Sequence, residues 1–229
     1  MPEKLLSIII PIYNEDKVAA DSLPAIFSLK INKEVIVVND GSTDETGPIL
    51  NKLAATYDFR LIDQETNQGK GAAVKRGLEE ISGDYFIICD ADREYDARDI
   101  VRLFSEMLKQ NNEQTVIYGS RFLSTRNHGF HYLVNKFLTS MTNALFHSRL
   151  SDMETCFKLI PRSALAKISL SGRRFEIEPE ITAQLLKAGY KIMELPISYA
   201  RRGYKEGKKI KARDGLLAVK TLIAEKLFR

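Results

Sequence analysis

The chain has 229 residues, 44% of them hydrophobic and 28% charged, which excludes a disordered or fibrous protein. No stretch of about 18 apolar residues occurs, so we expect no membrane-spanning helix, and the apolar stretch near the N-terminus is too short for a signal peptide. Two cysteines do not make a disulfide framework, which favours the reducing cytoplasm, and the formal net charge of +4 is modest.

Five apolar runs predict strands, at 5–13, 33–40, 59–64, 84–90 and 114–122. Between them, apolar residues at helical spacing predict helices over 18–29, 43–57, 71–82 and 99–110. Strands that alternate with helices of about ten to fifteen residues indicate βαβ units and a mostly parallel sheet. In such sheets, ligands bind beyond the carboxyl ends of the strands.

The pattern changes after residue 122. Helices are predicted over 131–146, 177–189 and 215–228. Two more strands are predicted, at 154–162, which is a strand or a sheet edge, and at 190–200, where Pro196 favours an edge position.

The fourth predicted strand ends in an acidic cluster of Asp90, Asp92 and Glu94, with the small Ala91 between the two aspartates. Carboxylate oxygens suit Mg²⁺ or Mn²⁺, and magnesium usually takes one or two carboxylates together with water and substrate phosphates. The cluster therefore predicts a metal–diphosphate site. The alternative is that the aspartates only cap the segment that follows.

Polar residues also end the first two strands, in PIYNE (11–15) and at Asp40. The Asp40 carboxylate can accept hydrogen bonds from a base or a ribose, or it can cap a helix. The glycine-rich stretch NQGKGAAVKRG (67–77) matches neither the dinucleotide nor the phosphate-loop pattern. Its backbone amides and Lys70 can still approach a phosphate at a helix N-terminus.

Basic residues are concentrated in segment 201–213, which has seven basic residues and one acidic residue. Its net charge of +6 leaves the rest of the chain at −2. Such a cluster suits phosphates or an anionic membrane surface, although a solvated loop can have the same composition. The amphipathic helix 215–228 can lie on a membrane or pack on the domain.

The motifs PIYNE, VVNDGSTDET, NQGKGAA, DAD and YGSRF occur in this order. Together they resemble the family 2 glycosyltransferases with the GT-A fold, and within them the dolichyl-phosphate mannose or glucose synthases and their bacterial polyprenyl-phosphate relatives. DMETCFK (152–158), FEIEPEIT, LPISYARR and EGKKI extend the resemblance, which covers roughly residues 5 to 217.

The resemblance implies an α/β protein with a Rossmann-like, mostly parallel GT-A sheet flanked by helices and a C-terminal extension on the acceptor side. It implies one domain over 1–229, with a nucleotide-sugar-binding half (1–122) and an acceptor half (123–229). The acceptor half would contain the basic loop 201–213 and the amphipathic helix 215–228.

The resemblance also implies roles for individual residues. The base and ribose of the donor would contact Pro11, Tyr13, Glu15 and Asp40. Lys70, Asp90 and Ala91 would also contact the donor. The divalent metal would be held by Asp92, with Asp90 and Glu94. Arg121 would meet the acceptor phosphate, and the donor diphosphate would be covered by Arg202 and Lys208. Asp92, Arg121, Arg202 and Lys208 would therefore be the catalytic residues.

Two positions depart from the mannose-type pattern. Relatives of that type often have glutamine where this chain has Glu94, and an anionic ligand should bind the metal more strongly or change the preferred ion. In the acceptor half, Asn135 and Thr139 stand where mannose-type synthases have an arginine and a serine that contact the acceptor phosphate. Lys136 offers a replacement for that positive charge.

The expected reaction transfers a hexose, with inversion, from a nucleotide-sugar of the GDP-mannose or UDP-glucose type to a dolichyl or undecaprenyl phosphate. Because that acceptor is already anionic, it needs no general base. We expect the protein to be cytoplasmic and peripheral on the cytoplasmic face of a membrane. Two alternatives remain. One is a family 2 transferase acting on a glycan hydroxyl, for which Glu178 or Glu180 could be the base, and the other is a nucleotide-binding module without catalysis.

Overall fold

A computed structural model describes residues 3–110, 112–123, 130–200 and 212–228. Its seven strands are β1 (Leu6–Ile12), β2 (Lys33–Asn39), β3 (Arg60–Asp63), β4 (Tyr85–Ile88), β5 (Thr115–Ser120), β6 (Lys158–Pro161) and β7 (Lys191–Pro196). They form one sheet in the order β3-β2-β1-β4-β6-β5-β7. Strand β6 pairs antiparallel with β4 and β5, and the other described strand pairs are parallel.

Helices connect the strands and cover both faces of the sheet. They are α1 (Asp16–Phe27), α2 (Thr46–Ala54), α3 (Lys70–Leu78), α4 (Ala97–Gln110), α5 (Phe130–Phe146), α6 (Ile177–Lys187) and α7 (Ala212–Leu227), with a 3₁₀ turn at Arg162–Ala166. In β1, Ile8 packs in the core cluster that includes Leu23 of α1, whereas Ile9 packs in the cluster that includes Val74 of α3. Because both faces are buried, β1 is apolar along almost its whole length. The predicted α/β fold with a mostly parallel sheet flanked by helices is confirmed.

The predicted strand at 154–162 is shorter and more central than its sequence indicates. Strand β6 begins only at Lys158 and lies between β4 and β5, so it is not an edge. Because β6 is antiparallel, its first residue lies at the same end of the sheet as the last residues of β4 and β5. The loop 152–157 therefore lies at the carboxyl-end rim, where ligands bind in such sheets. Strand β7, in contrast, is an edge as predicted, since it pairs only with β5 among the described strands.

The three helices of the second half form their own packing cluster. Leu138 of α5, Ala183 of α6 and Leu222 of α7 are buried together. Helix α7 therefore packs on the domain through one face, which was one of the two expectations for it. Within the described ranges, no helix is both long and apolar enough to cross a bilayer. The two functional halves of the domain remain a prediction.

Candidate active site

The ends of β1 and β2 are joined by hydrogen bonds between backbone amides and side chains. The Asn14 amide donates to the Ser42 hydroxyl at 3.0 Å, and the Glu15 amide donates to the Thr46 hydroxyl at 2.9 Å. Asn14 has a φ of 47°, a left-handed conformation that asparagine tolerates. These bonds fix the backbone beside Tyr13, at the place where the first two parallel strands end.

Asp40, immediately after β2, holds the glycine-rich loop. Its buried carboxylate accepts hydrogen bonds from the backbone amides of Gln68 and Gly69, both at 2.8 Å, and from the Asn67 side chain at 3.0 Å. Burial raises the pKa of Asp40, and these two amide bonds oppose that rise. In the described structure Asp40 therefore positions the loop, while its predicted contact with base or ribose stays a prediction.

The glycine-rich loop fits closely under the segment that precedes α6. Gly69 has a φ of 99°, and a Cβ at this position would lie 2.4 Å from the Arg173 carbonyl oxygen. A second contact joins the same segments, since the Ala72 amide donates to that oxygen at 3.1 Å. Any side chain at residue 69 would push the two segments apart, so the glycine is required by the backbone geometry. This packing sets the start of α3 and with it the position of Lys70.

The acidic cluster at the end of β4 is divided among three different partners. The Asp90 carboxylate lies 2.7 Å from the Lys70 ammonium. The Asp92 carboxylate accepts a hydrogen bond from the Glu94 amide at 3.1 Å, so it caps the following turn. The buried Glu94 carboxylate accepts a hydrogen bond from the Tyr199 hydroxyl at 2.9 Å. Ala91 is buried, and its carbonyl accepts the Ser22 hydroxyl at 2.7 Å.

These carboxylates do not form a metal cage made of protein ligands alone. Among the residues that the structure describes, no group of three or more His, Cys, Asp or Glu side chains is arranged to hold a metal ion. Partly exposed Asp92 at the rim is suited to a cation that takes one carboxylate and fills its other positions with diphosphate and water. The residues present therefore fit a metal that arrives with a nucleotide diphosphate. The predicted ligands Asp90, Asp92 and Glu94 remain predictions.

Lys70 links the acidic cluster to α6. Its ammonium lies 3.0 Å from the Glu178 carboxylate in addition to its contact with Asp90. Burial lowers the pKa of Lys70, but the attraction of both carboxylates outweighs burial and holds it well above the ordinary value. Lys70 is therefore a permanent cation at the N-terminus of α3, where phosphates are favoured.

Arg121 follows β5, and two nitrogen atoms of its guanidinium group are bound by Asp152. Its Nε and Nη2 donate to the two carboxylate oxygens of Asp152, each at 2.7 Å, and its backbone amide donates to the same carboxylate at 2.9 Å. The guanidinium also lies 5.4 Å from the ring centres of Phe122 and Tyr199. Burial lowers the pKa of Arg121, but Asp152 outweighs burial and keeps the residue charged. Arg121 is thus fixed at the rim.

Lys158, the first residue of β6, is fully buried and forms a further ion pair. Its ammonium donates to the Glu178 carboxylate and to the Thr155 carbonyl, and it lies 5.2 Å from the centre of the Tyr118 ring. Burial raises the pKa of Glu178, but Lys158 and then Lys70 outweigh burial, so the pKa is lowered overall. Glu178 is therefore held as a carboxylate between two lysines.

Glu154 is the acidic residue of the rim loop that lacks such a partner. Its Oε1 atom is buried and forms no hydrogen bond with any residue that the structure describes. Burial raises the pKa of Glu154 to about 7, although Lys158 and Arg121 oppose that rise. Glu178 and Asp152 add to the rise through repulsion.

Glu180, the other base considered from the sequence, has a structural role. Its carboxylate accepts hydrogen bonds from the Ser171 amide at 2.9 Å and the Gly172 amide at 2.8 Å. It fixes the turn that packs on the glycine-rich loop.

Two residues of helix α5, Thr139 and Lys136, contact the surroundings of Arg121. Thr139 departs from the mannose-type pattern, and Lys136 follows Asn135, which also departs from it. The buried Thr139 hydroxyl accepts the Met153 amide at 3.1 Å and so holds the rim loop. The Lys136 ammonium lies 5.8 Å from the centre of the Phe122 ring, which Arg121 also contacts. A second cation is therefore present beside Arg121. Asn135 is partly buried.

The two residues just before the basic segment 201–213 lie beside the acidic cluster in the structure. The Ala200 amide donates to the Glu94 carbonyl at 2.8 Å, and Tyr199 pairs with Tyr95 in an antiparallel bridge. Arg202 and Lys208 lie outside the described residues, and their roles remain predictions.

Sequence reasoning gave no role to Asp152, Glu154, Lys158, Tyr95 or Tyr199. All but the tyrosines belong to the motif DMETCFK, which was noticed only as part of a resemblance. The sequence did contain a signal for these residues, because charged residues immediately before a buried strand must lie at one end of the sheet. Using it required knowing that β6 runs antiparallel.

Comparison with known proteins identifies the family. The model of the family described as glycosyl transferase family 2 matches residues 7–169. A dolichyl-phosphate beta-glucosyltransferase of Trichomonas vaginalis is 29% identical over 217 residues, which cover 85% of this chain and 65% of that protein. A poly-beta-1,6-N-acetyl-D-glucosamine synthase of Staphylococcus epidermidis is 36% identical over 88 residues, 38% of this chain and 21% of that protein. The chain thus spans less than two thirds of the length of these relatives.

Solved structures share the fold at low sequence identity. Glucosyl-3-phosphoglycerate synthase from Mycobacterium tuberculosis, in complex with Mn²⁺, UDP and phosphoglyceric acid, superposes with a TM-score of 0.74 at 16% identity. The match covers 99% of this chain and 80% of that one. At this identity the likeness establishes the fold alone.

Proposed function

Because this chain belongs to glycosyl transferase family 2, we propose that it transfers a hexose from a nucleotide-sugar to a polyprenyl phosphate, with inversion at the anomeric carbon. The observation that carries the choice of acceptor is the charge state of the rim. Arg121 is fixed there as a cation, with Lys136 beside the same Phe122 ring. An anionic acceptor matches these cations, and the dolichyl-phosphate beta-glucosyltransferase relative supports the same choice.

A hydroxyl acceptor would need a general base at the same place. Glu178, the base considered from the sequence, is bound between Lys158 and Lys70, and its lowered pKa makes it a weak proton acceptor. Glu180 is occupied by backbone amides. Neither residue therefore supports the hydroxyl alternative.

In the proposed reaction, an oxygen of the acceptor phosphate attacks the anomeric carbon from the side opposite the nucleotide diphosphate. The bond from that carbon to the diphosphate oxygen breaks, and the leaving diphosphate keeps the electron pair. Arg121 orients the acceptor, and Lys70 at the start of α3 adds positive charge beside the diphosphate. Arg202 and Lys208 belong to the segment that follows Ala200, and they would contact the same diphosphate.

A divalent cation, Mg²⁺ or Mn²⁺, would be held mainly by Asp92, with Asp90 and Glu94 beside it, and would stabilise negative charge on the leaving group. On the nucleotide side, Pro11, Tyr13, Glu15 and Asp40 would contact the base and ribose. The dolichyl-phosphate beta-glucosyltransferase relative favours a UDP-sugar of the glucose type over GDP-mannose. The departures at Asn135 and Thr139 from the mannose-type pattern agree with that preference.

Matched acceptors test the reaction. We would screen UDP- and GDP-sugars with Mn²⁺ or Mg²⁺ against farnesyl phosphate, a short polyprenyl phosphate, and against farnesol, which has the same chain without the phosphate. The expected product is a farnesyl phosphate hexoside, detected by mass spectrometry, with none from farnesol. Glycosylation of farnesol or of a glycan, without transfer to farnesyl phosphate, would contradict the proposal.

A membrane-bound acceptor requires the protein to approach a bilayer, and we propose that α5 and α7 form the contacting surface. Leu133 and Phe137, one turn apart on α5, are 64% and 60% exposed, and Leu216 of α7 is 73% exposed. The two helices approach each other at this end, because a Cβ on Gly215 would lie 3.9 Å from a Val134 methyl carbon. The basic segment 201–213 leads into α7 and would add attraction to anionic lipid.

Point variants test this surface without removing buried parts of α7. We expect the protein to float with vesicles that contain anionic lipid, and Leu133→Ser/Phe137→Ser to weaken that binding about tenfold or more. Leu108→Ser is the matched control, because Leu108 is an exposed leucine on α4. Equal flotation of the double variant and the control would contradict the membrane proposal.

A further inference from the structure

The rim contains more acidic groups than its cations can pair. Three cations there form four described ion pairs: Lys70 with Asp90 and Glu178, Arg121 with Asp152, and Lys158 with Glu178. Three cations and three carboxylates take part, so the six side chains together have no net charge. Glu154 is a fourth acid in the same place, and no ion pair is described for it.

The position of Glu154 is set by the loop that holds it. Asp152, two residues earlier, is bound to Arg121, and Thr155 donates its hydroxyl to the Gly119 carbonyl at 2.6 Å. Thr155 also accepts the Lys158 ammonium through its own carbonyl. Glu154 is therefore fixed between the Arg121 pair and the Lys158 pair, at the end of β5 where the acceptor is proposed to bind.

An ionised Glu154 would oppose the binding of a phosphate. These six side chains offer no surplus positive charge, and an ionised Glu154 would offset the positive charge that Lys136 adds to the rim. A protonated carboxyl group has the opposite effect, because it removes that charge and adds an O–H donor. None of the described residues forms a hydrogen bond with the buried Oε1 of Glu154, so none would compete with the phosphate for such a proton.

We propose that Glu154 binds the acceptor phosphate as a neutral carboxylic acid that donates a hydrogen bond to it. Glu154 would thus be a positioning and specificity-determining residue that acts together with Arg121. The inference rests on the proposed function, since it requires a phosphate acceptor. It also couples acceptor binding to the uptake of a proton by the protein.

Glu154 is surrounded by charged groups, and its own pKa lies near neutral pH. Those that face it are Arg121 after β5, Asp152 in the same loop, Lys158 of β6 and Glu178 of α6. The pKa of Arg121 lies well above its ordinary value and that of Glu178 lies below it, whereas the pKa of Glu154 is raised to about 7. The second pKa of a phosphate monoester is about 6, so the charge of the acceptor changes little above about pH 7.

Binding across pH is the test, with farnesyl phosphate as the probe in the presence of UDP and Mn²⁺. We expect the affinity of the natural chain to fall about tenfold between pH 7.5 and 8.5, since binding must first protonate Glu154. Glu154→Gln keeps an N–H donor that does not titrate, so its affinity should stay constant over this range. Glu154→Ala should bind weakly at every pH, and Glu113→Gln, an exposed position before β5, should behave like the natural chain.

Three results would overturn the inference. An unchanged pH slope in Glu154→Gln would show that another group titrates. Normal binding by Glu154→Gln with loss of transfer at every pH would make Glu154 a general base. Failure of the natural chain to bind farnesyl phosphate at any pH would overturn the proposed phosphate acceptor as well, which distinguishes it from the first two results.

Discussion

The two sides of the rim are built by different interactions. On the nucleotide side, at the ends of β1 and β2, backbone amides donate to neutral hydroxyls and to Asp40. On the acceptor side, at the end of β5 and the start of β6, buried ion pairs connect distant parts of the chain, and the Lys70–Asp90 pair lies where the two sides meet. Single hydrogen bonds contribute about 1 kcal/mol each, whereas breaking a buried ion pair costs several. The acceptor side should therefore be far more sensitive to substitution.

The largest effect is expected where a buried ion pair is broken. Asp152→Ala removes the carboxylate that pairs with the buried Arg121 guanidinium, and we expect the free energy of unfolding to fall by about 3–5 kcal/mol. The double variant Arg121→Met/Asp152→Leu should recover much of that loss, because neither charge is then buried. Urea denaturation measures both. A loss under about 1 kcal/mol for the single variant would remove the contrast between the two sides.

The next effect concerns Asp92, where the two sides meet. Asp92→Ala should reduce hexose transfer by at least about a hundredfold, because even indirect changes around a metal cost about 10–100-fold. The fold should be kept, since Asp92 is partly exposed. Asp96→Ala, four residues along and paired with Arg98, is the control. Near-normal turnover of Asp92→Ala would exclude Asp92 as the main metal ligand.

A smaller effect is expected from the unpartnered acid of the acceptor side. The folded pKa of Glu154 is raised to about 7, so the folded state binds more protons than the unfolded state between about pH 4.5 and 7. The stability of the natural chain should therefore fall across this window, relative to Glu154→Gln, by about 2–3 kcal/mol. Denaturation at pH 5 and at pH 8 measures the difference. Parallel stability curves for the two proteins would show that Glu154 is solvated.

The smallest effect is expected on the nucleotide side. Asp44 accepts the Thr46 amide at 3.0 Å and the Asp16 amide at 3.3 Å, so it caps α2 and α1 together. Asp44→Ala should cost about 1 kcal/mol, the usual value of a cap. Burial raises the pKa of Asp44, but these hydrogen bonds lower it overall, so its contribution should disappear as the pH falls below about 4. An equal loss at pH 7 and at pH 2.5 would contradict a role for the carboxylate.

The same contrast explains what the sequence could predict. Apolar runs marked the strands closely, as in β1, predicted over 5–13 and found over Leu6–Ile12. The resemblance to family 2 is confirmed, and the residues it assigned to strand ends do lie at one rim.

The acceptor side was harder to predict, because its pairs join residues that periodicity does not relate. Lys158 looks like an ordinary charge before a strand, yet it is fully buried against Glu178, which is 20 residues away. The acids Asp90, Asp92 and Glu94 looked like one cluster, yet their carboxylates have different partners. Lys158 lies at the rim only because β6 runs antiparallel, and no local pattern specifies that direction.

The insertion of β6 has a consequence for how the chain is made. Strands β4 and β5 are not neighbours in the sheet, so each lacks β6 as a partner on one side until Lys158–Pro161 has been synthesised. During translation the apolar residues Tyr85–Ile88 therefore form an unpaired edge while some seventy further residues are added. Unpaired apolar edges promote aggregation, so the nascent chain should depend on chaperones over that interval and lose the dependence once β6 closes the sheet.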